Sequence, residues 1–151
     1  MRRVVLCGTL CLLGTSVCVA GKPTNEFLLV LEQKGRKGYV VVEKGQVVVG
    51  DGGPGCVWFV DGTRLKSKAT GRYLVYDPAG KDGKVFLADK PGDKAYWMVD
   101  TPGRQRGDEG DRGDIQAAVG PMRGWFLCEE SGRIVLRKHP SRKVQVRRIW
   151  T

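Results

Sequence analysis

The densest chemistry in this chain lies near its C-terminus. Arg133, Arg137, Lys138, Arg142, Lys143 and Arg147 crowd one stretch, with His139 and Arg148 among them, and no acidic residue falls between Arg137 and Thr151. Cations on adjacent turns and strand ends suit sulfate or carboxylate groups, and arginine can grip such groups through two parallel hydrogen bonds. This cluster is the candidate binding site for an anionic glycan. Its plainer alternative is a solvated charged face.

Catalytic constellations are harder to find. His139 is the one histidine, and it precedes Pro140. A structural zinc site wants four nitrogen or sulfur ligands, and the chain spaces none in that way, so no metal and no cofactor are expected. The serines and cysteines carry no nucleophile motif around them. Glu129 and Glu130 are adjacent, and neighbouring strand positions point to opposite faces. Arg-Gly-Asp occurs at Arg106 to Asp108 and again at Arg112 to Asp114, but in a segment so rich in those residues that composition alone accounts for it. The expectation is a non-catalytic protein that works through its surface.

The elements that must position these residues come from a pattern written three times. The clearest copy runs Leu65 to Gly71-Arg72-Tyr73-Leu74-Val75, then Lys84-Val85-Phe86-Leu87, then Trp97-Met98-Val99. The first copy has Leu31, Gly38-Tyr39-Val40-Val41, Val47-Val48-Val49 and Trp58-Phe59-Val60. The third has Ile115, Gly124-Trp125-Phe126-Leu127, Ile134-Val135-Leu136 and Ile149-Trp150. Each reads as a strand, a glycine turn, a strand opening on an aromatic, a short strand, and a closing strand bearing tryptophan. β-Branched runs bounded by Lys44-Gly45, Asp77-Pro78-Ala79-Gly80 and Ser131-Gly132 predict strands, about four per copy. Repeats of this kind bury their apolar faces against one another. Trp58, Trp97 and Trp150, with the openers Tyr39, Tyr73 and Phe126, are the expected repeat core. The repeats are placed at about 26–61, 62–100 and 114–151. A polar, glycine-rich insertion at 101–113 reads as a surface loop.

The first twenty residues belong to a different class. Arg2 and Arg3 precede the apolar run Val4 to Leu13, and small residues lead to Cys18-Val19-Ala20. That is the form of a signal peptide cleaved after Ala20, leaving one domain at 21–151. The run is too short for a membrane span. The expected location is secreted or periplasmic. Net charge is +10, and losing Arg2 and Arg3 would lower it by two. A basic balance favours anionic partners, among which nucleic acid is the least expected for an exported protein. Cys56 and Cys128 are the cysteines outside the leader. After export they could pair as a disulfide, or stand as two buried thiols.

Three such units are too few to close a propeller but close as a β-trefoil. The segment Thr70-Gly71-Arg72-Tyr73-Leu74, with Val85-x-Leu87 and Trp97-x-Val99, resembles a lobe of the ricin-type β-trefoil superfamily. The likeness spans most of residues 21–151, and it implies an all-β trefoil of three four-stranded repeats. Fascin-like and growth-factor-like trefoils share similar lobe patterns. The latter bind sulfated glycans through a comparable C-terminal basic surface. In ricin-type lectins a sugar-binding lobe has an Asp after the glycine turn, an aromatic platform after the short strand, and a Gln before the tryptophan. Those positions fall here on Val41, Val75 and Cys128 for the Asp, on Ala88 for the second repeat's platform, and on Cys56, Ala95 and Arg148 for the Gln. The resemblance thus implies the fold with degenerate sugar sites, for which Asp77 and Asp89 are the nearby carboxylates.

The sequence therefore predicts a secreted binding module for carbohydrate, with anionic polysaccharide on the basic C-terminal face. The alternatives are a protein-binding trefoil such as a secreted protease inhibitor, using the 101–113 loop, or a structural envelope protein.

Overall fold

The β-branched runs become twelve strands in three sets of four. The computed structural model describes residues 23–33, 36–61, 63–91, 96–100 and 113–150. The first set is β1 (Pro23–Gln33), β2 (Arg36–Glu43), β3 (Gln46–Gly50) and β4 (Val57–Asp61), with a short 3-10 turn, Pro54–Cys56, before β4. The second is β5 (Arg64–Ser67), β6 (Tyr73–Tyr76), β7 (Val85–Ala88) and β8 (Trp97–Val99). The third is β9 (Gly113–Ala117), β10 (Phe126–Glu130), β11 (Arg133–Arg137) and β12 (Gln145–Trp150). The leader, residues 1–20, lies outside the described residues, as do 101–112. Gly113, which reads in the sequence as the end of the insertion, instead opens β9. A Cβ there would stand 1.3 Å from the Asp100 carbonyl oxygen, so only glycine fits.

First and fourth strands of each set make a ring. β1 pairs with β4, β4 with β5, β8 with β9, β9 with β12, and β12 returns to β1, all antiparallel. Between β5 and β8 the Trp97 amide donates to the Thr63 carbonyl at 2.9 Å. The middle strands form three hairpins, β2–β3, β6–β7 and β10–β11. These meet at one end of the ring, where Arg133 lies opposite Val48 and Lys84 bridges to Val135. This is a β-trefoil.

Turn chemistry sets the local geometry. Lys44-Gly45 and Ser131-Gly132 carry positive φ at both positions, 53° and 75° in one, 53° and 80° in the other. Two-residue hairpins prefer this conformation because it matches the twist of the flanking strands. The second hairpin has a longer connection, in which the Asp77 carboxylate accepts the Ala79 amide at 2.9 Å. At the entry to the second and third hairpins Gly71 and Gly124 sit at φ 71° and 85°. Their amides donate to Ser67 and Ala117 carbonyls, each at 2.8 Å.

The core fills the ring. Trp58 and Trp97 are fully buried, and so are Leu29, Leu31, Leu65, Ile115, Leu127 and Leu136. The Trp58 indole N–H donates to the Val40 carbonyl at 3.0 Å, and that of Trp97 to the Leu74 carbonyl at 2.9 Å. Each tryptophan thus fastens its closing strand to its own repeat's hairpin, at the same relative position. Trp150 ends β12, and its side chain lies outside what is described.

The aromatic openers differ from expectation. Tyr39, Tyr73 and Phe126 are half-buried, while the residues one position later, Val40, Leu74 and Leu127, are sealed inside. Strand alternation explains the shift, since successive side chains face opposite ways. Tyr73 packs on the core from its edge. Tyr76 is the core aromatic that the repeat pattern did not mark. Its hydroxyl accepts the Ala118 and Val119 amides at 3.1 and 3.2 Å and donates to the Tyr96 carbonyl. It thereby ties the second repeat to the third.

Candidate functional site

The C-terminal cations divide into two groups once the strands are in place. At the start of β12 and just before it, Val146 and Val144 are buried, so Lys143, Gln145 and Arg147 alternate outward along the ring wall. Lys143 is held there twice, by Asp114 on β9 at 3.2 Å and over the Phe126 ring at 4.1 Å. Arg142 meets Glu129 at 3.3 Å. Arg137 forks onto both carboxylate oxygens of Glu130, each at 2.8 Å, and also donates to the Asp82 and Leu136 carbonyls. This fork holds the Glu130 carboxyl below its ordinary range and pushes the Arg137 guanidinium up. These three cations are therefore partly neutralised by their own fold. Arg133, Lys138 and Arg147 are in no ion pair among the described residues, and the first two are exposed.

What the sequence could not display is where the balancing carboxylates fall. The run from Arg137 to Thr151 is free of acid, but strand pairing brings Glu129, Glu130 and Asp114 against it. The pairing of β10 with β11 sets Glu130 opposite Arg133, at the other end of the strand from Arg137. Asp114 also accepts from Gln145 at 3.1 Å, so the second Arg-Gly-Asp triplet ends inside a strand and not in a displayed loop.

Positions that would carry a ricin-type sugar site are filled otherwise. Val41, Val75 and Cys128 are buried, with relative exposures of 4%, 5% and 1%. A hydroxyl could not reach a group there even if it were polar. Arg148 stacks over the Phe27 ring at 4.9 Å, which uses the third Gln position for packing. Ala95 lies outside the described residues. Asp77 spends a carboxylate oxygen on its own turn. Asp89 is 88% exposed and faces Arg72 at 3.2 Å.

Cys56 and Cys128 are both free thiols. The disulfide open to them from sequence is not formed. Cys56 ends the 3-10 turn of the first repeat, whereas Cys128 sits mid-strand on β10, paired opposite Val135. Burial pushes the Cys128 thiol from its ordinary 9.0 to about 11, against the pull of the Arg137 charge. Such a thiol is inert at neutral pH, a small apolar residue in function. Among the described residues, no group of three or more His, Cys, Asp or Glu side chains is placed to hold a metal ion. No helix among them is long and apolar enough to cross a membrane.

Among solved structures the chain is similar to "SeviL bound to asialo-GM1 saccharide", a ricin B-like β-trefoil lectin, with a TM-score of 0.56 and 14% identity. The match covers 83% of this chain and 96% of that one. The chain therefore shares the β-trefoil fold of that protein. No protein-family profile and no curated protein matches it.

Proposed function

We propose that this chain is a secreted, non-catalytic carbohydrate-binding module that favours anionic polysaccharide on its basic C-terminal side. The observation that carries the reading is a cationic surface on a lectin scaffold. The fold is shared with a solved lectin that was captured with a saccharide, net charge is +10, and an outward row of Lys143 and Arg147 stands near exposed Lys138. The family's own acceptor positions are apolar and buried, which moves recognition away from neutral hydroxyl-reading pockets and toward charge. Export follows from the leader-like residues 1–20. A polyanion laid along the wall would compete with Asp114 for Lys143 and meet Arg147 and Lys138 directly.

The test is a titration of the protein with a sulfated and a uronic-acid polysaccharide at low and moderate salt. Exposed charges act over a Debye length of about 10 Å at 0.1 M salt, so binding falls as salt rises. The triple change Lys138→Ala, Lys143→Ala and Arg147→Ala weakens binding about tenfold or more. Undiminished binding by that variant would remove the basic face from the account. An absence of any glycan binding would redirect the search to a protein partner.

A further inference from the structure

The three hairpins do not close completely over the ring. Where they meet, a pocket of about 270 Å³ remains, lined from all three repeats: Gly45, Gln46 and Val47 from the first hairpin, Lys84 to Leu87 from the second, and Arg133, Ile134 and Val135 from the third. Val47, Val85, Leu87, Ile134 and Val135 supply an aliphatic lining. Phe86, also lining it, is 49% exposed, one of two large hydrophobic side chains so exposed among the described residues. No lining residue is acidic, and Lys84 and Arg133 are both exposed cations. Arg72 stands close by, bonded to the Leu87 carbonyl at 3.3 Å and set beside the Gly45 turn.

Nothing in the fold requires this combination. A phenyl ring on a short hairpin strand costs solubility and adds little to packing when half its surface is in water. Two cations line the pocket and no carboxylate does, Glu130 standing opposite Arg133 on the neighbouring strand. The arrangement does match a ligand with an apolar face and a negative charge on its edge. An aromatic ring stacks on the C–H face of a pyranose, and Lys and Arg grip a carboxylate on that ring. The size also selects. Sites for drug-sized molecules run to about 300–1,000 Å³, so this pocket suits a single ring and not a chain.

We propose that the pocket at the centre of the hairpin cap binds one acidic sugar ring, stacked on Phe86 with its carboxylate between Lys84 and Arg133. This rests on the carbohydrate-binding reading above but uses a different surface, at the hairpin cap and away from the outward row of β12. The terminal uronic acid of a polysaccharide would enter here, while its following units could run over the wall.

The experiment is an NMR titration of the purified protein with methyl β-glucuronide, with methyl β-glucoside as the uncharged control. The uronide binds at least tenfold more tightly than the glucoside, and amide shifts centre on residues 45–47, 84–87 and 133–135. Phe86→Ala loses at least tenfold in affinity for the uronide with an unchanged melting temperature, as does Lys84→Ala combined with Arg133→Ala. Equal binding of the two glycosides, or shifts elsewhere, overturns the proposal. Should methyl β-glucuronide binding survive Phe86→Ala while polysaccharide binding fails in the Lys138, Lys143 and Arg147 variant, the cap site is wrong and the module reading stands. If neither variant nor the parent binds any glycan, both fall.

Discussion

The ring tryptophans and Phe86 of the hairpin cap stand on the same kind of alternating strand, yet they are treated in opposite ways. In the ring Trp58 and Trp97 are sealed, and each indole N–H finds a carbonyl. In the cap Phe86 is left half in water at a pocket that Lys84 and Arg133 also line. The difference is one of coverage. A ring strand has a neighbour on either side and an interior that the other strands close. A hairpin has two strands and touches its fellows only near the axis, through contacts such as Arg133 opposite Val48 and Lys84 with Val135. The ring tryptophans therefore serve stability, whereas Phe86 at the outer face of the cap is left open to the ligand proposed above.

That contrast can be broken most sharply at Trp97. Trp97→Ala opens a cavity and strands the Leu74 carbonyl, and core aromatic truncations cost about 3–5 kcal/mol. Urea unfolding measures this, and a loss below about 1 kcal/mol would mean that the ring is not sealed as described. Next comes Tyr76→Phe, which leaves the Ala118 and Val119 amides without their acceptor. Unsatisfied buried groups cost about 1–3 kcal/mol each, and the loss is expected nearer the lower figure because the edges of this site are partly accessible. The cap answers differently. Phe86→Ala changes stability by no more than about 0.5 kcal/mol, as surface changes usually do, and its effect appears in uronide affinity alone.

A smaller effect separates the two regions by pH. The Cys128 thiol is pushed up to about 11 in the folded chain from an ordinary 9.0. The unfolded chain then ionises first, so this residue's contribution is whole below pH 9 and is lost as pH rises toward 11. Cys128→Ala should flatten the decline of stability over that window. Alkylation at pH 8 followed by mass spectrometry should leave Cys128 unmodified until denaturant is added.

The fold was legible because its signals are local and repeated. The glycine turns, the β-branched runs and the tryptophans at matching places each say the same thing three times, and the trefoil follows from their number. The core was legible only in part. Tyr39, Tyr73 and Phe126 looked like core by size, but alternation turned them outward and gave the interior to Val40, Leu74 and Leu127. The surroundings of the site residues were least legible, and for a plain reason. Charge pairing is long-range in sequence, so nothing near Lys143 or Arg137 announced Asp114 or Glu130. Arg133 likewise stands in a different repeat from Lys84 and Phe86, and only the meeting of the three hairpins puts them at one pocket. Phe86, between Val85 and Leu87 and two residues after Lys84, was the available clue, an aromatic placed where the strand should face solvent.

The measurement that bears most directly on the central claim is a glycan array read with the purified protein at low and at moderate salt. Salt-sensitive binding confined to glycans bearing sulfate or uronic acid is the result this account predicts. Binding of neutral galactosides, unchanged by salt, would contradict it.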